Sequence, residues 1–447
     1  MKPDCVIDVD DDVWPYFNRA SFDQDKIVSY GSFQYTLYWA SDEALVLIRR
    51  NLENDEIQKL RFPDWHLTIG PKDNHRNTVL GISPKDGRLH MSWDHHNNDL
   101  RYTKSNADFL TNPPGEISCG DFESAQLLTP EAPQRVTYPR FFNDHNDNLF
   151  FMYRTGGSGN GDSVMARYNA QEGQWSLVAQ RLFSREGVYP QWGDSDSRNA
   201  YLHDVLFDRQ GRLHVSWVYR EAGKSWASNH DLHYAYSDDE GVTWHNNTGV
   251  VIADLSMDES ITLDSPGIAV RNISVYSWLM NQCAMTLDGQ NRPHVATYHL
   301  AQPFIPVQLN HNPPEEVYDQ LAHHHYWRDG GIWHSSGPIP EPRRGELGIR
   351  RPNIVADSRD NVCMYWASHQ GFVCHIAFAD EAYQHWATLQ MTDERYTFSD
   401  ACKHDRWRLA KEGVLSFCAE TEPAEFKKGF TILDFDLDRL VEKARNQ

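Results

Sequence analysis

Long apolar runs are missing from this chain: none approaches the ~18 consecutive apolar residues that a membrane span requires, so no membrane partner is expected. Basic charge is scarce as well. Lys and Arg total 42 against 63 Asp and Glu, a formal charge of -21, the reverse of the footprint that nucleic acid needs. An anionic substrate is not excluded, because a few cations lining a cleft override the distant net field. The seven cysteines (Cys5, Cys119, Cys283, Cys363, Cys374, Cys402, Cys418) form no CxxC pair, and their odd number argues against a disulfide scaffold. The opening residues, MKPDCVIDVDDDVW, are acidic and lack an apolar leader segment. A cytoplasmic protein is then expected, or a secreted or periplasmic one if the numbering starts on a mature chain. Helical periodicity is confined to the closing LDRLVEKARNQ, and no linker composition divides residues 1–447, so a single domain is expected.

Aromatic residues and repeats are what the chain has in quantity: 15 Trp, 20 Tyr and 20 Phe. A polar turn with Asp or Asn and Gly, an apolar strand, a loop and a second strand recur throughout, often closed by Trp. Instances are KDGRLHMSWDHHNNDLRY from Lys85, HNDNLFFMYRTGG from His145 and RQGRLHVSWVYRE from Arg209. DGQNRPHVATYHL, SRDNVCMYWASHQGFVCHIAF and KEGVLSFCAE follow, and FQYTLYWASDEALVLIRR precedes them. That makes about seven units at spacings of roughly 45–75 residues, with period-two alternation in their strands. Radially repeated sheets of this kind read as an all-β, seven-bladed β-propeller whose first and last units meet to close the ring. Ser237 to Trp244 fits the Asp-box pattern S-x-D-x-G-x-T-W, a hairpin turn of propeller blades, which assigns Asp239 and Trp244 to folding.

The residues with chemistry collect at strand ends. DNHRNTVLGI places His75 and Asn77 before one strand, and WDHHNND places His95 and His96 after the next. Continuing the alternation Leu89, Met91, Trp93 selects His95 as the reactive histidine and leaves His96 as the alternative. Tyr138 sits in a Thr-Tyr-Pro turn, and Arg154 ends a strand just before Gly156, Gly157, Gly159 and Gly161, where a ligand can approach the backbone closely. SRNAYLHD adds Arg198, Tyr201 and His203, and Arg220 ends LHVSWVYR as Arg154 ends its own strand, so both guanidiniums should border one cleft. A solvated hairpin or a hydrogen-bonded rim histidine explains any one of these alone, but does not explain their convergence. Two histidines, tyrosines and arginines without a carboxylate pair differ from the usual glycosidase arrangement. They suit β-elimination from a uronic acid. Arginine's fork would hold the carboxylate and stabilise charge developing on it, while His or Tyr moves protons to and from the sugar.

The series HxN, DGRLHxSWDHH, TYPRFF, YRxGGSGNGD, RNAY and LHVSWVYRE resembles the BNR-4 group of seven-bladed propellers, most strongly from His75 to Arg220. That group includes ulvan lyases and lyases of the rhamnose–glucuronate linkage. The resemblance implies that His75, His95, Tyr138 and Arg154 are catalytic; together with their convergence on one rim, it makes His95 and Tyr138 the expected proton-transfer pair, with His75 assisting. It implies a substrate-binding role for Tyr201, and Asn77, His96, Arg198 and Arg220 join it from their positions. An acidic polysaccharide or oligosaccharide is the expected substrate. Related rhamnosidases on this fold use a histidine on the opposite face, where this chain has Gln34, a departure that favours the lyase. A glycan-binding propeller without catalysis is the third reading. No cofactor is needed for the chemistry. Some related lyases carry a structural zinc, and Cys283, His299 and His325, on successive strands of the fifth unit, are the candidate ligands for a structural metal, zinc or calcium. Their spacing fits no compact zinc motif, and blade packing with a His-rich loop is the competing account.

Overall fold

A computed structural model describes residues 2–447 except 15–24, 69–72, 74, 76, 125–127, 130, 224, 311–312, 340–349, 397–402 and 425–426. The fold is an all-β propeller in which six blades are counted, and the described strands fall into seven sheets. The regular blade is a four-stranded antiparallel meander, as in Ile27–Tyr30, Phe33–Trp39, Ala44–Asn51 and Ile57–His66. The first strand of each meander packs against the first strand of the next, Thr78–Ser83 against Arg135–Asn143 and Ala284–Leu287 against Asn353–Ala356, so these strands line the axis. The ring closes through the chain ends: Cys5–Asp10 pairs antiparallel with Lys427–Asp436 in the register Cys5↔Asp434 to Asp8↔Thr431. Among the described residues no helix is long and apolar enough to cross a membrane.

The repeat legible in the sequence has a definite turn chemistry. Asp144, Asp208, Asp288 and Asp357 each accept hydrogen bonds through one carboxylate oxygen from the amides two and four residues ahead, at 2.8–2.9 Å. The residue three ahead is left-handed each time: Asp147, Gly211, Asn291 and Asp360 have φ of 61°, 91°, 62° and 66°. Asn, Asp and Gly tolerate that conformation at least cost, which explains the Asp/Asn-Gly signature before each strand. The Asp box is built as expected. Asp239 accepts from the Thr243 amide at 2.8 Å and the Thr243 hydroxyl at 2.7 Å, and the buried Trp244 donates Nε1–H to the Gly241 carbonyl at 2.9 Å.

Trp39, Trp93, Trp217 and Trp366, in or closing the second strands of four units, are fully buried. At ~150–250 Å² each and ~25 cal/mol per Å², burial contributes roughly 4–6 kcal/mol per ring before conformational entropy is set against it. The axis itself is charged. Arg406 pairs with Asp25 at 2.6 Å and Asp204 at 2.9 Å, Arg140 lies 3.7 Å from Asp204, and Lys403 donates to the Cys283 carbonyl at 2.7 Å. These groups adjoin Tyr138 and Tyr201 along the chain, since Arg140 and Asp204 follow those tyrosines on the same strands, Arg135–Asn143 and Ser195–Phe207. The closing helix forms over Leu437–Arg445, capped by Asp436 and burying Leu437, Leu440, Val441 and Ala444. A second helix, Arg406–Glu412, is too short for periodicity to reveal; Asp405 caps it through the Trp407 and Arg408 amides.

Candidate active site

Tyr138 is aimed by a β-bulge. Strand Arg135–Asn143 pairs with Leu149–Arg154 as Thr137↔Arg154 and then Arg140↔Met152, so Tyr138 and Pro139 together oppose Tyr153. The extra residue puts Tyr138 at φ 55°, a conformation costing about 1–3 kcal/mol for a non-glycine residue. Its ring lies under the Arg154 guanidinium at 4.8 Å and beside Tyr201 at 5.9 Å. Arg154 is buried, with Nη2 donating to the Gly156 carbonyl at 3.4 Å, while Nε and Nη1 have no hydrogen-bond partner among the described residues. A buried cation with spare N–H groups is what a site for an incoming anion needs. The glycines do what their lack of a side chain allows: a Cβ at Gly159 would meet the Glu221 carbonyl and Ala222 backbone at 2.7 Å.

Tyr201 lies between two guanidiniums, Arg154 at 5.3 Å and Arg220 at 4.4 Å from its ring. Arg220 donates from Nη1 to the Tyr201 hydroxyl at 3.3 Å, and its other nitrogens hold Asn229 at 2.7 Å and Asn281 at 2.6 Å. The two tyrosines diverge electrostatically. Burial pushes Tyr138 up to about 12. Burial also acts to raise Tyr201, but the flanking Arg220 and Arg154 outweigh it and bring it down to about 8. An ultraviolet difference titration is therefore expected to show one tyrosine ionising about two units below the ordinary range, near pH 8. Arg220→Gln should move that step upward, because it removes the largest charge favouring the phenolate.

On the other side of Tyr138 the ring of His75 stands 5.6 Å away, and His96 stacks on His75 at 3.8 Å with an interplanar angle of 18°. Asp73 joins them, its Oδ1 2.6 Å from His75 Nδ1 and its Oδ2 2.5 Å from His96 Nδ1. Burial lowers the His75 pKa, opposed by Asp73. His75, His96, Tyr138, Tyr201, Arg154 and Arg220 thus form one continuous cluster.

His95 lies outside it. Strand Arg88–Trp93 ends at Trp93, and Asp94 turns the chain at φ 61°, so the alternation that selected His95 does not extend to it. The His95 side chain is fully buried, with Nδ1 at 3.1 Å from Asn98 Oδ1 and Nε2 accepting from the Arg101 amide at 3.0 Å. Burial takes its pKa down to about 4. It is a neutral turn-holding histidine, and His96 takes its place in the cluster. Asn77 serves the same turn: its carbonyl accepts from the Asp94 amide at 2.8 Å and its side-chain oxygen from the His95 amide at 3.2 Å.

Arg198 is likewise removed from the substrate-facing set. It is wholly buried against Glu221 at 2.9 Å and donates to the carbonyls of Arg185, Glu186 and Gly187 at 3.2, 2.6 and 2.9 Å. The expected metal set does not assemble either. The register His299↔Ala322 and Ala296↔His325 places His299 on one face of the sheet and His325 on the other. His299 meets Tyr326 and His325 meets His294, both at 2.9 Å, while Cys283 lies near Thr297 at 3.6 Å on the His299 face. Among the described residues the one group with ligand atoms close together is Asp73, His75 and His96, within 4.8 Å of one another. Sequence reasoning missed Asp73, whose Asp-x-His spacing was its only local signal, and also Asn229 and Asn281, which orient Arg220 from another strand and a loop.

Comparison with known proteins agrees with this architecture. Residues 33–338 match BNR-4, the BNR repeat-containing family. The long isoform of ulvan lyase from Alteromonas sp. (strain LOR) is 26% identical over 268 residues, covering 50% of this chain and 26% of that protein. The short isoform from the same strain is 22% identical over 269 residues, 50% of each chain. The chain thus spans about a quarter of the length of the long isoform, and half of the short one, in these matches. In fold it is similar to a PL25 ulvan lyase solved with -[GlcA(1-4)Rha3S]-, with a TM-score of 0.71, 14% identity and 98% of both chains covered. It is also similar to polysaccharide lyase Uly1, with a TM-score of 0.65, 16% identity and 98% and 100% of the two chains covered. With the family match running over 33–338, more than half its length, the chain belongs to the BNR-4, BNR repeat-containing, family.

Proposed function

We propose that this chain is a polysaccharide lyase that cleaves a glycosidic bond to glucuronic acid, in a rhamnose–glucuronate linkage, by β-elimination. The observation carrying this reading is Arg154, a buried cation with two spare N–H positions among the described residues, set between two tyrosines and next to paired histidines. Arg154 receives the uronate carboxylate and stabilises the charge that develops on it as the adjacent C–H bond breaks. One of the His75/His96 pair or Tyr138 takes that proton. The electron pair forms the ring double bond, the C–O bond to the neighbouring sugar breaks, and the other partner protonates the departing oxygen. Support also comes from the ulvan lyase relatives and from the substrate named in the PL25 structure. We further propose that residues 1–447 form one domain and that the ring has seven blades, the sheet of Cys5–Asp10, Val414–Ala424 and Lys427–Asp436 serving as the seventh.

The hydrolase reading finds no support at its expected place. Gln34 is fully buried, donating to Asp405 at 2.9 Å and Ser416 at 3.0 Å and accepting from Arg50 at 3.1 Å. Incubation with ulvan and other uronate-containing glycans tests the proposal: near-ultraviolet absorbance of an unsaturated uronate is expected. Rhamnose release without absorbance would make the protein a hydrolase, and binding without either product a lectin. Arg154→Lys keeps the charge and loses the fork, so kcat/KM should fall at least ~10-fold, or about 1.4 kcal/mol. Unchanged kinetics in that variant would take Arg154 out of the mechanism.

A further inference from the structure

We propose that Asp73 is a positioning residue that clamps His75 and His96 together, holding both as Nδ1–H tautomers so that Nε2 of each ring carries the basic lone pair. The inference rests on the lyase reading for its consequence in catalysis, and on geometry for the clamp itself. A carboxylate only accepts hydrogen bonds when ionised, so each short contact assigns the proton to the imidazole: His75 Nδ1–H to Oδ1 at 2.6 Å and His96 Nδ1–H to Oδ2 at 2.5 Å. The His75 amide also donates to Oδ1, at 2.9 Å, fixing the carboxylate against its own loop. The rings are stacked with centroids 3.8 Å apart and planes 18° from parallel, and both present Nδ1 to the one carboxylate.

One carboxylate between two stacked rings also limits their charge. It can balance one imidazolium, while a second would sit face to face with the first. Among the described residues, Asp73 on the same loop, His96 at the start of the next strand, and Tyr138 and Arg154 from the neighbouring blade are the titratable and charged groups found around His75. The pair therefore works as one base that stores a single proton. A metal held by the same three residues is the rival account. Parallel rings direct their Nδ1 lone pairs along parallel lines, each at its own carboxylate oxygen, whereas ligands of one ion must converge on a point. The stacking favours the clamp.

Asp73→Asn tests this, because a carboxamide accepts at one atom and donates at the other. It can keep one imidazole as Nδ1–H but must turn the other into the Nε2–H form, removing one acceptor lone pair. Long-range ¹⁵N–¹H spectra of the free full-length protein, assigned through His75→Gln and His96→Gln, should show both rings as Nδ1–H and one ring switched in Asp73→Asn. In the same variant kcat/KM should fall on the order of 10²-fold, with its acid limb moved to lower pH because the charge favouring the imidazolium is gone. Asp73→Glu, which keeps the carboxylate, should recover part of that loss. Either ring found as Nε2–H in the parent protein, or tautomers unchanged in Asp73→Asn, would overturn the clamp. So would loss of activity on chelation that zinc restores while shifting both ring signals. If the tautomers behave as stated but no uronate glycan yields unsaturated product, the clamp stands and the lyase reading fails.

Discussion

Tyr138→Phe and His75→Ala should each lower the rate of unsaturated-product formation by about 10²–10⁴-fold, the usual cost of removing a general acid or base, with the fold retained. Tyr138→Phe removes only a hydroxyl and leaves the bulge, the left-handed backbone and the stacking with Arg154 in place, so a loss there is chemical in origin. His96→Ala should behave like His75→Ala, because the two rings share Asp73. His95→Ala is the discriminating control. Its imidazole spans Asn98 and Arg101 in a buried turn, so the variant should lose stability, about 1–3 kcal/mol for the hydrogen-bonding groups left unsatisfied. The fraction that folds should turn over normally. Initial rates by ultraviolet absorbance, measured beside thermal melts of all four variants, separate the two effects. A fully active Tyr138→Phe would move the proton transfer onto the histidine pair alone. An inactive but stable His95→Ala would mean that the turn at Asp94 opens in solution.

How much of this could be read before the fold was known depends on whether the signal was local. The repeat was legible because four of the units need a left-handed residue at the same point of their turn, and only Asp, Asn and Gly occupy it, at Asp147, Gly211, Asn291 and Asp360. Convergence of Arg154 and Arg220 on one cleft was legible because equivalent strand ends of a radial repeat share a rim, and both guanidiniums lie over Tyr201. Alternation expected His95 beside His75, and the structure places His96 there instead, because alternation holds only while the chain remains a strand, and this one stops at Trp93. Arg198 looked like a ligand for the same reason that Arg220 did. What separates them is Glu221 on the neighbouring strand, and the cross-strand register Arg198↔Glu221 cannot be read from either segment alone. His299 and His325 failed as a metal pair by register as well, since one residue of offset decides which face of the sheet each occupies.

Glu221 carries the largest expected effect on stability. Its carboxylate is fully buried between Arg198 at 2.9 Å, His230 at 3.0 Å and the Ser195 hydroxyl at 2.6 Å. These partners hold its pKa down against the effect of burial, and Asp231 and Glu221 hold that of His230 up against the same effect. Glu221→Ala leaves a guanidinium in the interior without its counter-charge, a lesion that costs about 3–5 kcal/mol, and chemical denaturation should show it as a lowered midpoint. Replacing both partners, Arg198→Met with Glu221→Leu, should cost clearly less than Glu221→Ala, because no guanidinium is left without its counter-charge and Asp231 still pairs with His230 at 3.0 Å; equal or additive losses would mean that the pair is not electrostatically coupled. The pH dependence has two signs. Glu221, depressed in the fold, contributes stability that is lost as pH falls through its folded pKa. His230, raised in the fold, contributes stability that is lost as pH rises through its own, so the network is strongest between the two. Activity should fall with it. The Arg198 carbonyl accepts from the Gly161 amide at 3.4 Å and Asn199 donates to the Gly157 carbonyl at 3.0 Å, so this buried pair underpins the glycine turn that follows Arg154. A loosened turn would leave the guanidinium charged but no longer fixed, and KM should rise before the protein unfolds.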